Sequence, residues 1–349
     1  MSLTRVALHA VEQGWLPDPL TRWGIRRLCQ ARLEECAGAE AESAQILAEA
    51  FLSEMRAAPV ALLPERANAQ HYEVPAAFFE QVLGPRRKYS CAYWDDRVTT
   101  LAEAEDSALA LTCQHAGLAD GQDILELGCG WGSLTLWMAE RFPKARITAV
   151  SNSTSQRAFI EARAAERGFR NLQVLTADMN DYQAGARFDR VVSVEMFEHL
   201  RNWPVMLARI AGWLKPDGQF FMHVFCHRDT AYLFEDRGDD DWMSRHFFSG
   251  GMMPSASLPA RCQDDLVLVR QWHWSGRHYQ RTANAWLAAM DARRVAVWPI
   301  LVATYGAHAA GLWWQRWRLF FLAVAETFGY GGGQVWGVVH ALYRLRGTP

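Results

Sequence analysis

The stretch DILELGCGWGSLTLWMAERF, residues 123–142, decides the fold. Ile124, Leu125 and Leu127 form a short apolar run that reads as a buried strand, and Ser133 onward carries the apolar spacing of a helix. Between them stand Gly128, Gly130 and Gly132. Glycines at such a turn let the backbone come close to a ligand, and the first N–H groups of the following helix point at it. A dinucleotide site would show G-x-G-x-x-G and an acid at the end of the second strand. Here the spacing is G-x-G-x-G, Glu126 precedes the turn, and the next strand ends AVSNS without an acid. NAD is disfavoured.

Outward from this turn, strands and helices alternate. ARITAVS (145–151) is a second strand, followed by the helix TSQRAFIEARAAERG (154–168). NLQVLTAD (171–178) is a third strand, and FDRVVSVE (188–195) a fourth, which leads to the helix PVMLARIAGWL (204–214). KPDG (215–218) then turns the chain into a fifth strand, QFFMHVF (219–225). This alternation predicts an α/β fold with a parallel, doubly wound sheet. A loop-like insert, residues 227–262, follows, and its Trp242 and FFSGGMM run (247–253) suggest an apolar, hinged lid. The closing GGQVWGVVHALYRL (332–345) suits a last strand or helix. Residues 1–66 read as a helical extension that ends in the linker APVALLPERANAQ (58–70), and residues 67–349 form the main domain.

Composition narrows the function. Lys+Arg 36 against Asp+Glu 38 leaves a net charge of -2 over 349 residues, so no global field recruits nucleic acid or anionic lipid. Seven cysteines without a C-x-x-C pair, and no signal peptide, fit a reduced cytoplasmic protein, and no Cys/His spacing suggests a metal. Residues 295–314 carry no Asp, Glu, Lys or Arg, but Pro299, Tyr305, His308 and two glycines interrupt them. They read as a buried helix, with no transmembrane segment expected. The sixteen tryptophans serve core packing or an aromatic pocket. Trp313, Trp314 and Trp317 read as helix packing.

SVEMFEHLRNWP (193–204) sets Glu195, Glu198 and His199 at spacings of three and four, so a helix would present all three on one side. A helix-start acid is the bland alternative. Their place at the carboxyl edge of a sheet, where open α/β folds bind ligands, favours function. His199 serves either as a base or as an orienting group, and His223 as a core histidine in a buried strand. Cys91 reads as a small buried residue.

The E-x-G-x-G-x-G turn resembles motif I of class I S-adenosylmethionine-dependent methyltransferases. NAQHYEVPAAFFEQVLGPRRKYSCAYW (68–94), ILELGCGWG and the S-x-x-x-F-E-H box at 193–199 resemble the cyclopropane-fatty-acid synthase superfamily. AVSNSTSQ, EMFEHLRNW, CHRDTAYLFED, DDDW, CQDDLVLVRQWHWSGRHYQRT and WLAAMDA are similar to its coclaurine-type amine N-methyltransferase branch. The resemblance implies S-adenosyl-L-methionine as cofactor. It places Tyr89, Ser90, Glu126, Gly128, Gly130, Ser151, Asn152, Gln156, Asp178 and Met179 around that cofactor, with Asp178 at the adenine. It also implies that Cys91, Glu198, His223 and Tyr330 match the set that holds a bicarbonate base in the lipid-modifying branch. Glu195, Glu198 and His199 match the acid–acid–His set of amine methylation, and Glu195 stands where lipid enzymes usually carry glycine. Two functions follow: N-methylation of a small aromatic or cyclic amine, which Glu195 favours, and cyclopropanation of a fatty-acyl lipid. A homodimer is compatible with either.

Overall fold

The computed structural model describes residues 3–37, 41–61, 74–236, 238 and 241–347. The boundary expected at 66/67, the linker beyond residue 61, the start of the 68–94 motif and two of the three aspartates of DDDW lie outside the described residues.

Three helices open the chain: α1 (Leu3–Glu12), α2 (Asp18–Ala37) and α3 (Ala41–Ala57). Then come α4 (Ala76–Val82) and α5 (Leu101–Ala116), the latter begun by a capping box between Thr100 and Glu103. The glycine-turn unit follows as β1 (Asp123–Leu127) and α6 (Ser133–Arg141). The alternation continues through β2 (Arg146–Ser151), α7 (Thr154–Glu166), β3 (Leu172–Thr176), β4 (Phe188–Val194), α8 (Trp203–Trp213) and β5 (Leu214–His227). The insert holds β6 (Tyr232–Leu233), α9 (Trp242–His246), β7 (Met252–Met253) and α10 (Leu258–Arg261). The chain then runs through β8 (Leu266–Ser275), α11 (Gly276–Ala292), α12 (Arg294–Tyr305), α13 (Ala307–Gly329) and β9 (Trp336–Leu345).

Among the described residues the main sheet has seven strands in the order β3-β2-β1-β4-β5-β9-β8. The first five are parallel, as the alternation predicts. The last two are not: β9 is antiparallel to β5, and β8 to β9. The parallel expectation thus holds for β1 to β5 and does not extend to the closing segment: β9, which the chain reaches from α13, runs back along β5. KPDG lies inside β5. The register against β4 jumps from Phe188–Leu214 to Arg190–Gln219, so the tetrapeptide is an excursion within one strand. A Cβ at Gly218 would stand 2.8 Å from the Phe188 carbonyl, which explains the glycine.

The N-terminal helices are tied to the main domain by ion pairs. Arg22 and Arg26 of α2 both bind Glu326 of α13, at 2.7 and 2.9 Å, and Arg318 of α13 binds Asp18 at 2.8 Å. Glu12 of α1 accepts from Arg316 at 2.9 Å and from Trp242 Nε1, in the insert, at 3.0 Å. Helices α12 and α13 meet in a 120° bend at Gly306, whose φ is 82. No single described helix is long and apolar enough to cross a membrane. Trp314 and Trp317 are buried in the core, as helix packing predicts.

Candidate active site

A cavity of ≈ 390 Å³ opens at the carboxyl ends of β1, β4 and β5. One end is made by the glycine turn. Gly128, Gly130 and Gly132 have φ of 76, 52 and 76, a backbone region that costs a side-chain-bearing residue about 1–2 kcal/mol. A Cβ at Gly128 would stand 2.5 Å from Cγ of Met196, while Gly130 faces open space. The N-cap of α6 is Gly132, with no side-chain cap, so its first N–H groups are left for a ligand.

Orphaned polar atoms in the wall point the same way. Ser133 Oγ, Thr112 Oγ1 and Trp286 Nε1 are buried, line the cavity and have no hydrogen-bond partner among the described residues. Glu126 accepts from Thr135 Oγ at 2.5 Å, and burial pushes its carboxyl up to about 8. A cationic ligand with hydrogen-bonding ends would satisfy this set, and S-adenosylmethionine is one. Tyr89, Ser90, Glu126, Gly128, Gly130 and Gln156 line the cavity. Ser151 stands behind Gln156, its Oγ donating to Oε1 at 2.7 Å. Asn152, Asp178 and Met179, past the ends of β2 and β3, are not in the wall, and Asp178 accepts from the backbone N–H of Asn180 at 2.7 Å.

The other end is made by side chains. Glu195 follows β4 with φ 48, so SVEMFEHL is not one helix: a strand end is followed by a short 3-10 turn, Phe197–His199. The shared helical face expected for Glu195, Glu198 and His199 is therefore absent. The left-handed backbone instead aims Glu195 at three groups from distant segments, two donors and a histidine ring. Oε1 accepts from the backbone N–H of Cys91 at 2.9 Å and lies 3.1 Å from His223 Nε2, and Oε2 accepts from Tyr279 at 2.7 Å. Burial raises its pKa, against the pull of Lys88, the Cys91 N–H and the Tyr279 hydroxyl. Lys88 is itself buried, donating to Ser90 Oγ at 2.5 Å and to the Cys91 carbonyl at 2.8 Å.

Glu198 accepts from the Phe225 N–H at 2.7 Å, and its Oε2 is buried with no hydrogen-bond partner among the described residues. Burial, and then the neighbouring Glu195, hold its carboxyl well above the usual range. His199 lines the cavity with its ring 4.5 Å from that of Phe248. The Cys91 thiol donates to the Ala92 carbonyl at 3.3 Å, outside the cavity wall; its contribution is the backbone N–H.

The bicarbonate set is not assembled. Tyr330 is outside the wall and gives its hydroxyl to Gln30 of α2, so the phenol at the acid is Tyr279. Tyr279 and Lys88 escape sequence reasoning because their roles rest on contacts made across the fold. Phe234, Trp242, Phe248 and Met253 of the insert line the cavity, and the short β6–β7 pair anchors them. Leu8, Ile25 and Leu28 show that the N-terminal helices also form the wall, which the reading of residues 1–66 as a helical extension does not foresee.

A glycine cradle on a sheet of this order, faced by a buried acid at the end of β4, defines a class I S-adenosylmethionine-dependent methyltransferase. The chain belongs to the mycolic acid cyclopropane synthetase family, whose profile matches residues 63–337. It is 36% identical over 344 residues to a (S)-coclaurine N-methyltransferase of Thalictrum flavum subsp. glaucum, covering 97% of this chain and 95% of that protein. To the cyclopropane-fatty-acyl-phospholipid synthase of Escherichia coli K12 it is 30% identical, over 77% of this chain and 66% of that one. The crystal structure of a coclaurine N-methyltransferase bound to N-methylheliamine and SAH superposes with a TM-score of 0.94 at 35% identity, covering 97% of this chain and 98% of that one.

Proposed function

We propose that this chain transfers a methyl group to the nitrogen of a small aromatic or cyclic amine. The carrying observation is Glu195, fixed by Cys91, His223 and Tyr279 at the edge of an aromatic-walled cavity of ≈ 390 Å³. S-adenosylmethionine, when bound, supplies a methyl group on a positively charged sulfur. The glycine turn, Ser133 and Glu126 would hold its amino-acid end. Ser151 and Gln156 with Asn152, Asp178 and Met179 would hold ribose and adenine, and Tyr89 and Ser90 would close over it.

An alkylamine arrives protonated and must lose a proton before its lone pair can react. The Glu195 carboxylate, with the faces of Phe225, Phe248 and Trp336, attracts the ammonium. Burial lifts the acid toward the range in which it accepts a proton, while the Cys91 N–H, Tyr279 and the His223 ring hold its oxygens in place. His199, on the same wall, serves as second acceptor. The lid excludes water and keeps the charges unscreened.

The competing reading, methylene addition to a lipid alkene, draws on the relatedness to the E. coli synthase; the position of Tyr330 weighs against it. Purified protein incubated with S-adenosylmethionine and a panel of aryl-substituted cyclic amines should yield N-methyl products. No product across the panel, together with added methylene groups in the lipids of expressing cells, would overturn the amine reading. A cytoplasmic location accords with seven free cysteines, and a homodimer with the exposed Trp15, Leu20 and Trp23. Cell fractionation and light scattering test these two.

A further inference from the structure

One face of the sheet carries a row of histidines that leads away from the cavity. The strand register sets His223 of β5 opposite His340 of β9, and His340 opposite Trp272 of β8. Directly paired residues point to the same face, so these side chains meet. His223 Nδ1 lies 2.8 Å from His340 Nε2, and His340 Nδ1 lies 2.8 Å from Nδ1 of His115, in the last turn of α5. The His115 ring lies flat on Trp272, 4.0 Å away at 5°. At the inner end His223 Nε2 stands 3.1 Å from Glu195. His223 and His340 are fully buried, whereas His115 is half-buried. The second ring nitrogen of His115 has no hydrogen-bond partner among the described residues and is left for solvent.

We propose that His223, His340 and His115 form a proton path through which Glu195 exchanges its proton with solvent at the sheet edge while the cavity is closed. It rests on the reading of Glu195 as the base. In the outward step the Glu195 carboxyl proton passes to His223 Nε2 and the proton on His223 Nδ1 to His340 Nε2. The proton on His340 Nδ1 passes to His115 Nδ1, and the one on His115 Nε2 to water. Each ring gains one proton and loses one, so all three stay neutral, and Glu195 ends as a carboxylate that accepts from His223. A proton entering at His115 reverses every transfer and restores the first tautomers. Once the product has left and the cavity is open, Glu195 gives this returned proton to the water there and is a carboxylate again for the next amine.

The setting suits neutral carriers. Burial holds both inner histidines well below the usual imidazole range. The charged or titratable groups against the path are Lys88, Cys91, Glu198 and Tyr279 at its inner end and Arg270 at its outer end. None of them hydrogen-bonds to His340 or His115. A purely structural histidine pair would need no third ring, and no open nitrogen at the surface.

Two variants test the path in the full-length protein: His115→Ala at the outer end, and His340→Gln in the middle. With the best amine of the panel, kcat should fall about tenfold, less than the 10²–10⁴ expected for loss of the base itself. KM for the amine and binding of S-adenosylhomocysteine should not change. Added imidazole should restore His115→Ala and not His340→Gln. Wild-type kcat in folded His115→Ala, or no rescue by imidazole, overturns the path, and His115→Ala decides alone if His340→Gln fails to fold. A wild-type enzyme inactive on every amine would instead reject the amine reading. Independently of activity, ¹⁵N NMR of the histidine rings at neutral pH should find the rings of His223 and His340 singly protonated. A doubly protonated ring at either position overturns the path.

Discussion

The two ends of the cavity each hold a buried carboxylate, and they are built in opposite ways. Glu126 and its partner Thr135 sit nine positions apart, within one strand–turn–helix unit. Glu195 takes its partners from 104, 28 and 84 positions away. The cofactor end is thus local and made largely of backbone, whereas the acceptor end exists only once the whole fold has closed. The acceptor end can therefore change its chemistry while the cradle stays as it is.

Substitutions that separate the two ends should do so by very different amounts. Glu195→Gln should lower kcat by roughly 10²–10⁴ while S-adenosylhomocysteine binding, read by calorimetry, stays unchanged. Loss of that binding would mean that the ends are not separable. The local end is expected to answer in pH-dependent stability. The folded pKa of Glu126, about 8, lies above its ordinary 4.5. The unfolded chain therefore loses this proton first, and stability falls as pH rises through that window and levels off above it. Glu126→Gln should make the fall shallower by on the order of 1 kcal/mol per pH unit in urea titrations; an unchanged slope would put the carboxylate in solvent. Gly128→Ala, strained at φ 76 and crowded by Met196, should weaken cofactor binding about tenfold, the equivalent of ~1.4 kcal/mol. Its kcat at saturating cofactor should be little changed. Smallest should be Trp242→Phe, which removes the bond to Glu12 worth about 1 kcal/mol. It should raise the amine KM a few-fold and spare kcat. A fall in kcat as large as that of Glu195→Gln would place Trp242 in the chemistry.

The same division decides what could be read in advance. Strands β1 to β5 and the helices between them carry their signals locally, in apolar runs, glycines and helix periodicity, and the structure follows those signals closely. Glu195 and Glu198 were legible as acids at a sheet edge. Their actual setting was not, because helix spacing assumed a helix where Glu195 takes a left-handed turn. Tyr279 was hidden inside a helix whose sequence gives no hint that it faces a residue 84 positions earlier. Tyr330 matched by type and order, yet its hydroxyl meets Gln30 of α2 instead of the acid. The antiparallel placement of β9 was equally invisible, since an apolar strand does not announce its neighbours.

That placement governs how the molecule is made. Strand β9 lies between β5 and β8 and is synthesised after both. While residues 276–335 leave the ribosome, which at ~5–20 residues per second takes several seconds, β5 and β8 lack the strand that joins them. Two open edges during synthesis invite pairing with other chains. The yield of folded protein is therefore decided late, by how promptly residues 336–345 arrive to fill the gap.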